Sequence, residues 1–292
     1  MLRREVLSMP TKDVKRFFRN LITKQNMNVK QKLIQLLPDR LFLLLKGYGW
    51  YGNFNTWEEA KKKSGGYDAE NILLKTKESL LKVKNGEAVY ERDSVTFEKI
   101  EYSWELLTAL MRVAAQNGGN LNIIDFGGSL GSTYFQNKKF LDRLNNVSWN
   151  IVEQRNYVIT GTEYFQNEIL HFYHSISDCC SKANGKIDVI LFSGVLQYLE
   201  NPFDILKQAF HFGIKNIIID RTCFTLNNTQ RITIQKVPAR IYEASYPCRF
   251  FSEKEFLALF EDNNYELIVD FDAFDKDNTP SKYKGFIFQS VK

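Results

Sequence analysis

The sequence has little of what marks several protein classes. Only four of its 292 residues are cysteine and no two form a Cys-x-x-Cys pair, which argues against a disulfide framework or a zinc site. No stretch approaches the roughly 18 uninterrupted apolar residues of a membrane-spanning helix. The first residues show no apolar signal region followed by a cleavage site. These absences favour a reducing, cytoplasmic compartment.

Histidine is also scarce, with three residues in the chain. His171 and His174 are spaced like two ligands on one segment, but no third ligand lies near them in the sequence. Because a zinc site needs at least three protein ligands, we expect no metal site.

Positive charge is concentrated near one end. Residues 1–50 hold eleven Lys and Arg against three Asp and Glu, or +8, which leaves −3 for the rest of a chain of net charge +5. A basic leader can contact nucleic acid or a membrane surface, but such a run is more often a solvated helical face, which we favour. That interpretation leaves a peripheral membrane contact open. No recognition motif supports nucleic-acid binding.

Apolar residues at helical spacing dominate the chain before residue 118. They predict helices over the segments 11–46, 56–63, 68–84 and 94–116. Ser94 or Asp93 would cap the last of these helices. Residues 47–54 alternate glycine with aromatic side chains and fit an irregular, well-packed loop. We therefore expect residues 1–118 to form a helical extension, which either packs on the core or acts as a lid.

From residue 119 onward strands and helices alternate, which is typical of a parallel sheet with crossover helices. Short apolar runs predict strands over 121–125, 149–153, 168–173, 187–192, 215–220, 265–271 and 284–289. Helices fit between them over 131–144, 155–166, 202–212 and 252–262. The polar loop from Lys276 to Lys284 leaves no room for a helix, so the last two strands should be antiparallel. The pattern predicts a doubly wound α/β domain over 119–292.

The most informative segment runs from Leu121 to Gly131 and reads LNIIDFGGSLG. It is a strand, an acid, a glycine-rich turn and the start of a helix, which is how α/β folds present backbone N–H groups to a nucleotide-like ligand. No Lys follows Gly131, which excludes a phosphate-binding P-loop, and the glycines do not match the spacing of a dinucleotide site. Asp125, two residues before the first glycine, fits a methyl donor. A turn without a ligand is the alternative.

Two further segments point to the same edge of the sheet. Glu153 ends the second strand, where a carboxylate in such folds accepts hydrogen bonds from ribose hydroxyls. An ordinary strand-end charge is the alternative role for this residue. Residues 188–202 combine a buried strand, a turn and a short helix at the carboxyl edge, where α/β ligands bind.

At these residues the sequence resembles the class I S-adenosylmethionine-dependent methyltransferases, over about residues 120–292. The N-terminal aromatic block and the segment from Ile241 to Pro247 also resemble a narrower bacterial family of methyltransferases, often associated with surface-polysaccharide loci. The resemblance implies a Rossmann-like seven-stranded sheet with an antiparallel last strand. It also implies S-adenosylmethionine as cofactor and methylation, by our expectation on oxygen, of a small molecule or surface-glycan precursor. Ser129 departs from the pattern, since many of these enzymes have a second glycine there.

The resemblance further implies a donor site. Asp125, Gly127 and Gly131 would contact the amino-acid end of the cofactor, and Glu153 would hold its ribose. Ser193, Gly194 and Gln197 would line the methyl-bearing side. The full implied set is Asp125, Phe126, Gly127, Gly128, Ser129, Gly131, Glu153, Gln154, Ser177, Asp178, Ser193, Gly194 and Gln197. Asp178 would accept from the adenine amine, although a helix cap or turn is an equally good role for it.

Three residues are candidates for the substrate end. Arg221 follows the fifth strand, where it would grip a phosphate or carboxylate, and a salt bridge to Asp220 or Glu243 is the alternative that we favour. Tyr242 and Glu243 lie in a long insertion before the helix at 252–262. Glu243 or a nearby histidine is the candidate base, needed only if the acceptor must lose a proton.

Two rival functions remain open at this point. A nicotinamide-dependent oxidoreductase is disfavoured by the glycine spacing and by the antiparallel last strands. A non-catalytic Rossmann-like binding protein would use the same fold without the chemistry. Nothing in the sequence indicates the oligomeric state.

Overall fold

The computed structural model describes residues 48–66, 69–183, 185–238, 241–275 and 279–291. The helices predicted within 11–46, and most of the basic leader, lie outside these described residues. The first described elements are β1 (Gly49–Phe54), α1 (Trp57–Lys63), α2 (Ala69–Lys84), β2 (Tyr90–Arg92), β3 (Val95–Phe97) and α3 (Trp104–Gln116). None of the helices in the described part of the chain is both long enough and apolar enough to cross a bilayer.

Strands and helices then alternate as the sequence predicts. The elements are β4 (Asn120–Phe126), α4 (Ser132–Leu141), β5 (Asn146–Val152), α5 (Arg155–Tyr164), β6 (Leu170–Tyr173), α6 (Ile176–Lys182), β7 (Val189–Ser193), a 3₁₀ turn (Leu196–Tyr198), α7 (Pro202–His211), β8 (Asn216–Thr225), β9 (Arg231–Lys236), β10 (Ser245–Phe250), α8 (Glu253–Asp262), β11 (Tyr265–Asp272) and β12 (Ser281–Ser290). Helix α6 and strands β9 and β10 are additions to the predicted set.

A seven-stranded sheet with the order β11-β12-β8-β7-β4-β5-β6 forms the centre. The five strands from β8 to β6 are parallel, and β12 runs antiparallel to both of its neighbours. The predicted Rossmann-like, doubly wound α/β class with an antiparallel last strand is confirmed. After β4 the chain adds β5 on one side and later β7 on the other, which creates the kind of crevice where α/β folds bind ligands.

The central strands are apolar because both faces of the sheet are covered. In β7, Val189 to Phe192 are all buried and only Ser193, at the carboxyl end, is partly exposed. One face packs against α3, α4 and α5 through residues such as Leu110 and Trp149. The other packs against α6, α7 and α8 through residues such as Phe256. Burying each such side chain contributes about 1.5–3 kcal/mol, so this scaffold holds the polar strand ends rigidly.

The prediction of one helix over 94–116 is wrong. Residues 90–97 form a hairpin of β2 and β3, and the helix begins only after Ser103, whose hydroxyl accepts from the Leu106 N–H at 3.4 Å. Asp93 and Ser94 form the turn, with φ of 53° and 67°. Two-residue hairpin turns require such positive φ values and usually contain glycine. The Asp-Ser pair lacks that signal.

The aromatic block is a strand, so the prediction of an irregular loop over 47–54 is also wrong. Strand β1 pairs antiparallel with β9, and β10 pairs with the other edge of β9. The resulting three-stranded sheet joins the segment before residue 118 to the insertion after β8. The predicted domain boundary between residues 118 and 119 stays a prediction. The three-stranded sheet contains strands from both sides of that boundary.

Candidate functional site

A cavity of about 480 Å³ opens at the carboxyl edge of the sheet. This volume lies in the range of roughly 300–1,000 Å³ typical of small-molecule sites. The turn after β4, the ends of β5 and β7 and the middle of β8 form its base, and the β2–β3 hairpin and the start of β10 form its upper wall.

The structure brings ten of the predicted site residues to this cavity. They are Asp125, Gly127, Gly128, Ser129, Glu153, Gln154, Ser193, Gly194, Arg221 and Tyr242. Six predicted residues do not line it: Phe126, Gly131, Ser177, Asp178, Gln197 and Glu243.

The glycine turn is shaped by its own packing. Gly127 has a φ of 71°, and a Cβ atom there would run into Val195. A Cβ on Gly128 would stand 2.5 Å from the Asp125 carboxyl group, and one on Gly131 would stand 3.2 Å from Leu170. Contacts inside the protein therefore exclude a side chain at Gly127 and Gly128, whether or not a ligand is bound.

Ser129 adopts the conformation of a glycine, with a φ of 57°. This left-handed region costs a serine more than a glycine. The Ser129 backbone N–H donates to the Glu153 carboxylate, which lowers that group's pKa. Serine in place of the second glycine therefore changes the side chain at this position, but the backbone retains the conformation of the glycine turn.

Asp125 is buried beneath the turn, with 1% of its surface exposed. Trp149 donates from its indole Nε1 to Oδ2 of Asp125 at 3.1 Å. Burial raises the pKa of the Asp125 carboxyl to about 7, the Trp149 hydrogen bond opposes this rise, and the charge of Glu153 adds to it. Trp149 thus holds a carboxyl group that has little access to water.

Glu153 connects the end of β5 to the glycine turn. Its Oε2 accepts from the Gln154 N–H at 2.7 Å, and its carboxylate also accepts from Ser129. Burial raises the pKa of Glu153 to about 7 against both hydrogen bonds. The residue lies where the sequence predicted a ribose-binding acid, although that role is a prediction.

Ser193, the last residue of β7, pairs with Asp220 in the middle of β8, which continues to Thr225. The Ser193 hydroxyl donates to Oδ2 of Asp220 at 3.2 Å. Burial raises the pKa of Asp220 to about 6, and the neighbouring Arg221 charge opposes that rise. The pKa of this carboxyl group is therefore closer to neutral pH than that of an ordinary aspartate. Asp220 also lines the cavity.

Arg221 is ion-paired, but not with Asp220 or Glu243 as we favoured. Its Nε and Nη2 donate to the two oxygens of Asp275 at 2.9 and 3.1 Å, and Nη2 also donates to Asp93 at 2.9 Å. Arg221 lies within β8, so the prediction that it follows the fifth strand is wrong. Its φ of 52° lies at a bulge between β8 and β12. Bulges often re-aim side chains next to functional sites, and here the bulge directs Arg221 toward the hairpin tip.

Gln197 lies behind this arrangement rather than in the cavity. Its Nε2 donates to the Arg221 carbonyl at 3.1 Å, and it is buried. It therefore supports the backbone conformation of Arg221.

The remaining predicted residues lie elsewhere. Phe126 packs on Phe192 with ring centroids 5.4 Å apart. Ser177 and Asp178 lie on α6, where the Lys182 ammonium, 2.6 Å away, lowers the pKa of Asp178. Glu243 is exposed and does not line the cavity, and its role as a base stays a prediction.

The sequence predicts a helix cap at Ser94 or Asp93 instead of a hairpin, and it does not identify Glu91 as a site residue. Glu91, on β2, is 1% exposed and lines the cavity. Burial raises its pKa to about 7, against hydrogen bonds from Ser132 and Ser94. No motif marks Glu91, because its position depends on the turn at Asp93 and Ser94.

The cavity lining is acidic although the chain is basic overall. Its carboxylic residues are Glu91, Asp93, Glu101, Asp125, Glu153, Asp220 and Asp275. The basic residues in the same lining are Arg92 and Arg221, and each is paired with a carboxylate. The site therefore favours a positively charged ligand. In the described segments no cluster of three or more His, Cys, Asp or Glu is arranged to hold a metal ion.

No protein-family model matches the sequence, and no curated protein sequence matches it significantly. Solved structures of similar fold include a 1,6-didemethyltoxoflavin-N1-methyltransferase from Burkholderia thailandensis with bound S-adenosylhomocysteine, which is 12% identical with a TM-score of 0.41 over 84% of this chain and 94% of its own. A methyltransferase from Methanosarcina mazei is 13% identical, with a TM-score of 0.44 over 59% and 93%. The magnesium protoporphyrin IX methyltransferase from Synechocystis, with bound S-adenosylmethionine, is 12% identical, with a TM-score of 0.42 over 78% and 99%.

Proposed function

We propose that the protein is an S-adenosylmethionine-dependent methyltransferase acting on a small molecule. The observation that carries this proposal is that Asp125, the glycine turn and Glu153 line one acidic cavity at the switch point of the sheet. These are the residues through which the sequence resembles class I methyltransferases. The donor carries a sulfonium and an ammonium group, and both match a lining rich in carboxylates.

The same charge pattern disfavours a dinucleotide. A pyrophosphate is bound by helix N-termini and by cationic side chains. The two cations of the lining, Arg92 and Arg221, are already paired. The antiparallel β12, inserted between β8 and β11, also departs from the strand order of dinucleotide-binding folds.

For the acceptor we propose a hydroxyl group of a surface-glycan precursor. The support is the resemblance of the segment from Ile241 to Pro247 to the polysaccharide-associated family, together with its position. Tyr242, Tyr246 and Pro247 of this segment line the cavity. Methylation of a hydroxyl requires a proton acceptor, whereas a carboxylate or phosphate acceptor would need none.

The donor, when bound, supplies an activated methyl group on a positively charged sulfur. The protein aligns the two reactants and excludes water, which contributes to catalysis by proximity and orientation. We propose that Asp220 accepts the proton of an acceptor hydroxyl. Its pKa of about 6 leaves it ionised at neutral pH and basic enough to act, and it lies in β8 beside Ser193, the last residue of β7.

Calorimetric titration with S-adenosylhomocysteine tests the donor site. We expect Asp125→Asn and Glu153→Gln each to weaken binding by roughly ten-fold or more, the effect of losing a charged hydrogen-bond partner. Asp142→Asn is the matched control, because Asp142 pairs with Lys138 on the outer part of α4. Wild-type affinity in both site variants, or tight binding of a nicotinamide dinucleotide instead, would refute the proposal.

Transfer of label from methyl-labelled donor into a cell-extract metabolite would separate an enzyme from a silent binding protein.

A further inference from the structure

The β2–β3 hairpin brings one carboxylate to the start of α4. Oε2 of Glu91 accepts from the hydroxyl of Ser132, the first residue of α4, and Oε1 accepts from the Ser94 N–H at 2.7 Å. Ser94 is fixed in turn, because its hydroxyl lies 2.7 Å from that of Thr76 on α2. Glu91 is therefore held in one position beside the helix that the glycine turn begins.

This carboxylate is buried without a cation of its own. Within the described ranges, no lysine, arginine or histidine forms an ion pair with Glu91, and Arg221, whose charge is felt there, is paired with Asp275 and Asp93. An uncompensated buried charge costs several kcal/mol. Each carboxylate oxygen retains acceptor capacity beyond the one hydrogen bond that it makes. Glu91 therefore has both the energetic reason and the free lone pairs to bind a cation that enters the cavity.

Building on the proposed function, we infer that Glu91 binds the α-ammonium group at the amino-acid end of the methyl donor. Ser132, which anchors Glu91, is adjacent to Gly131 at the end of the glycine turn. Asp125 lies packed beneath the same turn, against Gly128. The hairpin contributes two carboxylates to the cavity lining, and because Asp93 is paired with Arg221, Glu91 is the one that lies beside the glycine turn. Donor binding and hairpin position are coupled through it.

The test compares two ligands on two proteins. S-adenosylhomocysteine retains the ammonium group without the sulfonium charge, and its deaminated analogue has hydrogen in place of the α-amino group. We expect the wild-type protein to prefer S-adenosylhomocysteine by roughly ten-fold or more, as for a charge-assisted hydrogen bond. In Glu91→Gln this preference should fall to less than about three-fold, with affinity for the deaminated analogue unchanged. Glu98→Gln, an exposed glutamate just beyond β3, is the matched control and should keep the full preference.

The outcomes separate this inference from the proposed function. If the wild-type protein binds neither ligand, the proposed function fails. If it binds both equally, or if Glu91→Gln keeps the wild-type preference, the donor site stands and the role of Glu91 is overturned. Should Glu91→Gln lose its cooperative thermal transition, Glu91→Asp replaces it. The shorter aspartate side chain places its carboxylate farther from the ammonium group, so the preference for S-adenosylhomocysteine should fall by about three-fold or more. An undiminished preference would overturn the role of Glu91.

Discussion

Gly128 packs against the carboxyl group of Asp125 so closely that a Cβ atom on Gly128 would stand 2.5 Å from Cγ and Oδ2. Gly128→Ala should therefore displace Asp125 or open the glycine turn. We expect loss of S-adenosylhomocysteine binding by roughly ten-fold or more and destabilisation by about 1–3 kcal/mol, as for overpacking in a dense interior. Calorimetry and urea unfolding measure the two effects.

Gly213→Ala is the control for a simple glycine effect. Gly213 follows α7, and no atom lies within 4 Å of the position of an added Cβ, but its φ is 62°. The substitution should cost about 1 kcal/mol of stability through backbone strain and leave ligand affinity unchanged. Equal affinities in the two variants would contradict the steric role assigned to Gly128.

The strands that lead to Asp125 and Glu153 can be predicted from the sequence because they lie in the centre of the sheet. Strand β4 was expected over 121–125 and is observed over Asn120–Phe126. The apolar pair Ile123 and Ile124 is fully buried, one residue toward each face of the sheet, so the end of the strand, and thus Asp125, can be located from the sequence. The acid at the end of β5, Glu153, follows in the same way.

The upper wall of the cavity could not be predicted from the sequence, because its structure depends on contacts between residues far apart in the chain. Glu91 reaches the cavity only because the Asp93-Ser94 pair adopts a hairpin turn without glycine. Strand β1 exists through its pairing with β9, far along the chain. Local periodicity carries no information about such pairings, which is why 94–116 resembled one helix.

The stability of the ligand-free protein should fall as the pH rises from about 5.5 to about 8. The pKa values of Glu91, Asp125 and Glu153 are raised to about 7 and that of Asp220 to about 6, chiefly by burial. The folded state then binds more protons than the unfolded chain, so deprotonation favours unfolding. Each buried group should contribute on the order of 1 kcal/mol. Urea unfolding at both pH values measures the difference.

Acids whose pKa is lowered, such as Asp178 and Asp270, act in the opposite direction. Their contribution changes only below the ordinary aspartate pKa of about 4 and so lies outside this range. Asp125→Asn should flatten the pH dependence, since it removes one of the titrating groups. A stability that increases toward pH 8 would show that these carboxyl groups are not desolvated.

The two acids that hold Arg221 should differ in their effect on stability. Asp275 forms a two-pronged pair and its side chain is 24% exposed, whereas that of Asp93 is 64% exposed. Asp275→Asn should lower the free energy of unfolding by about 1–3 kcal/mol, because Arg221 would lose its main partner. Asp93→Asn should cost roughly 0–1 kcal/mol, the usual range for an exposed pair. Urea unfolding of both variants measures the two free energies of unfolding. A larger loss in Asp93→Asn than in Asp275→Asn would contradict this prediction.

Asp178 distinguishes the family expectation from the position seen in the structure. The resemblance assigns it to the adenine ring, but it lies on α6, pairs with Lys182 and does not line the cavity. Asp178→Asn should therefore leave the affinity for S-adenosylhomocysteine within about two-fold of wild type, because only a surface pair is lost. Lys182→Gln breaks the same pair from the other side and should match it in both affinity and stability. A ten-fold loss of affinity in Asp178→Asn alone would place Asp178 in contact with the ligand and require α6 to move toward the cavity on binding.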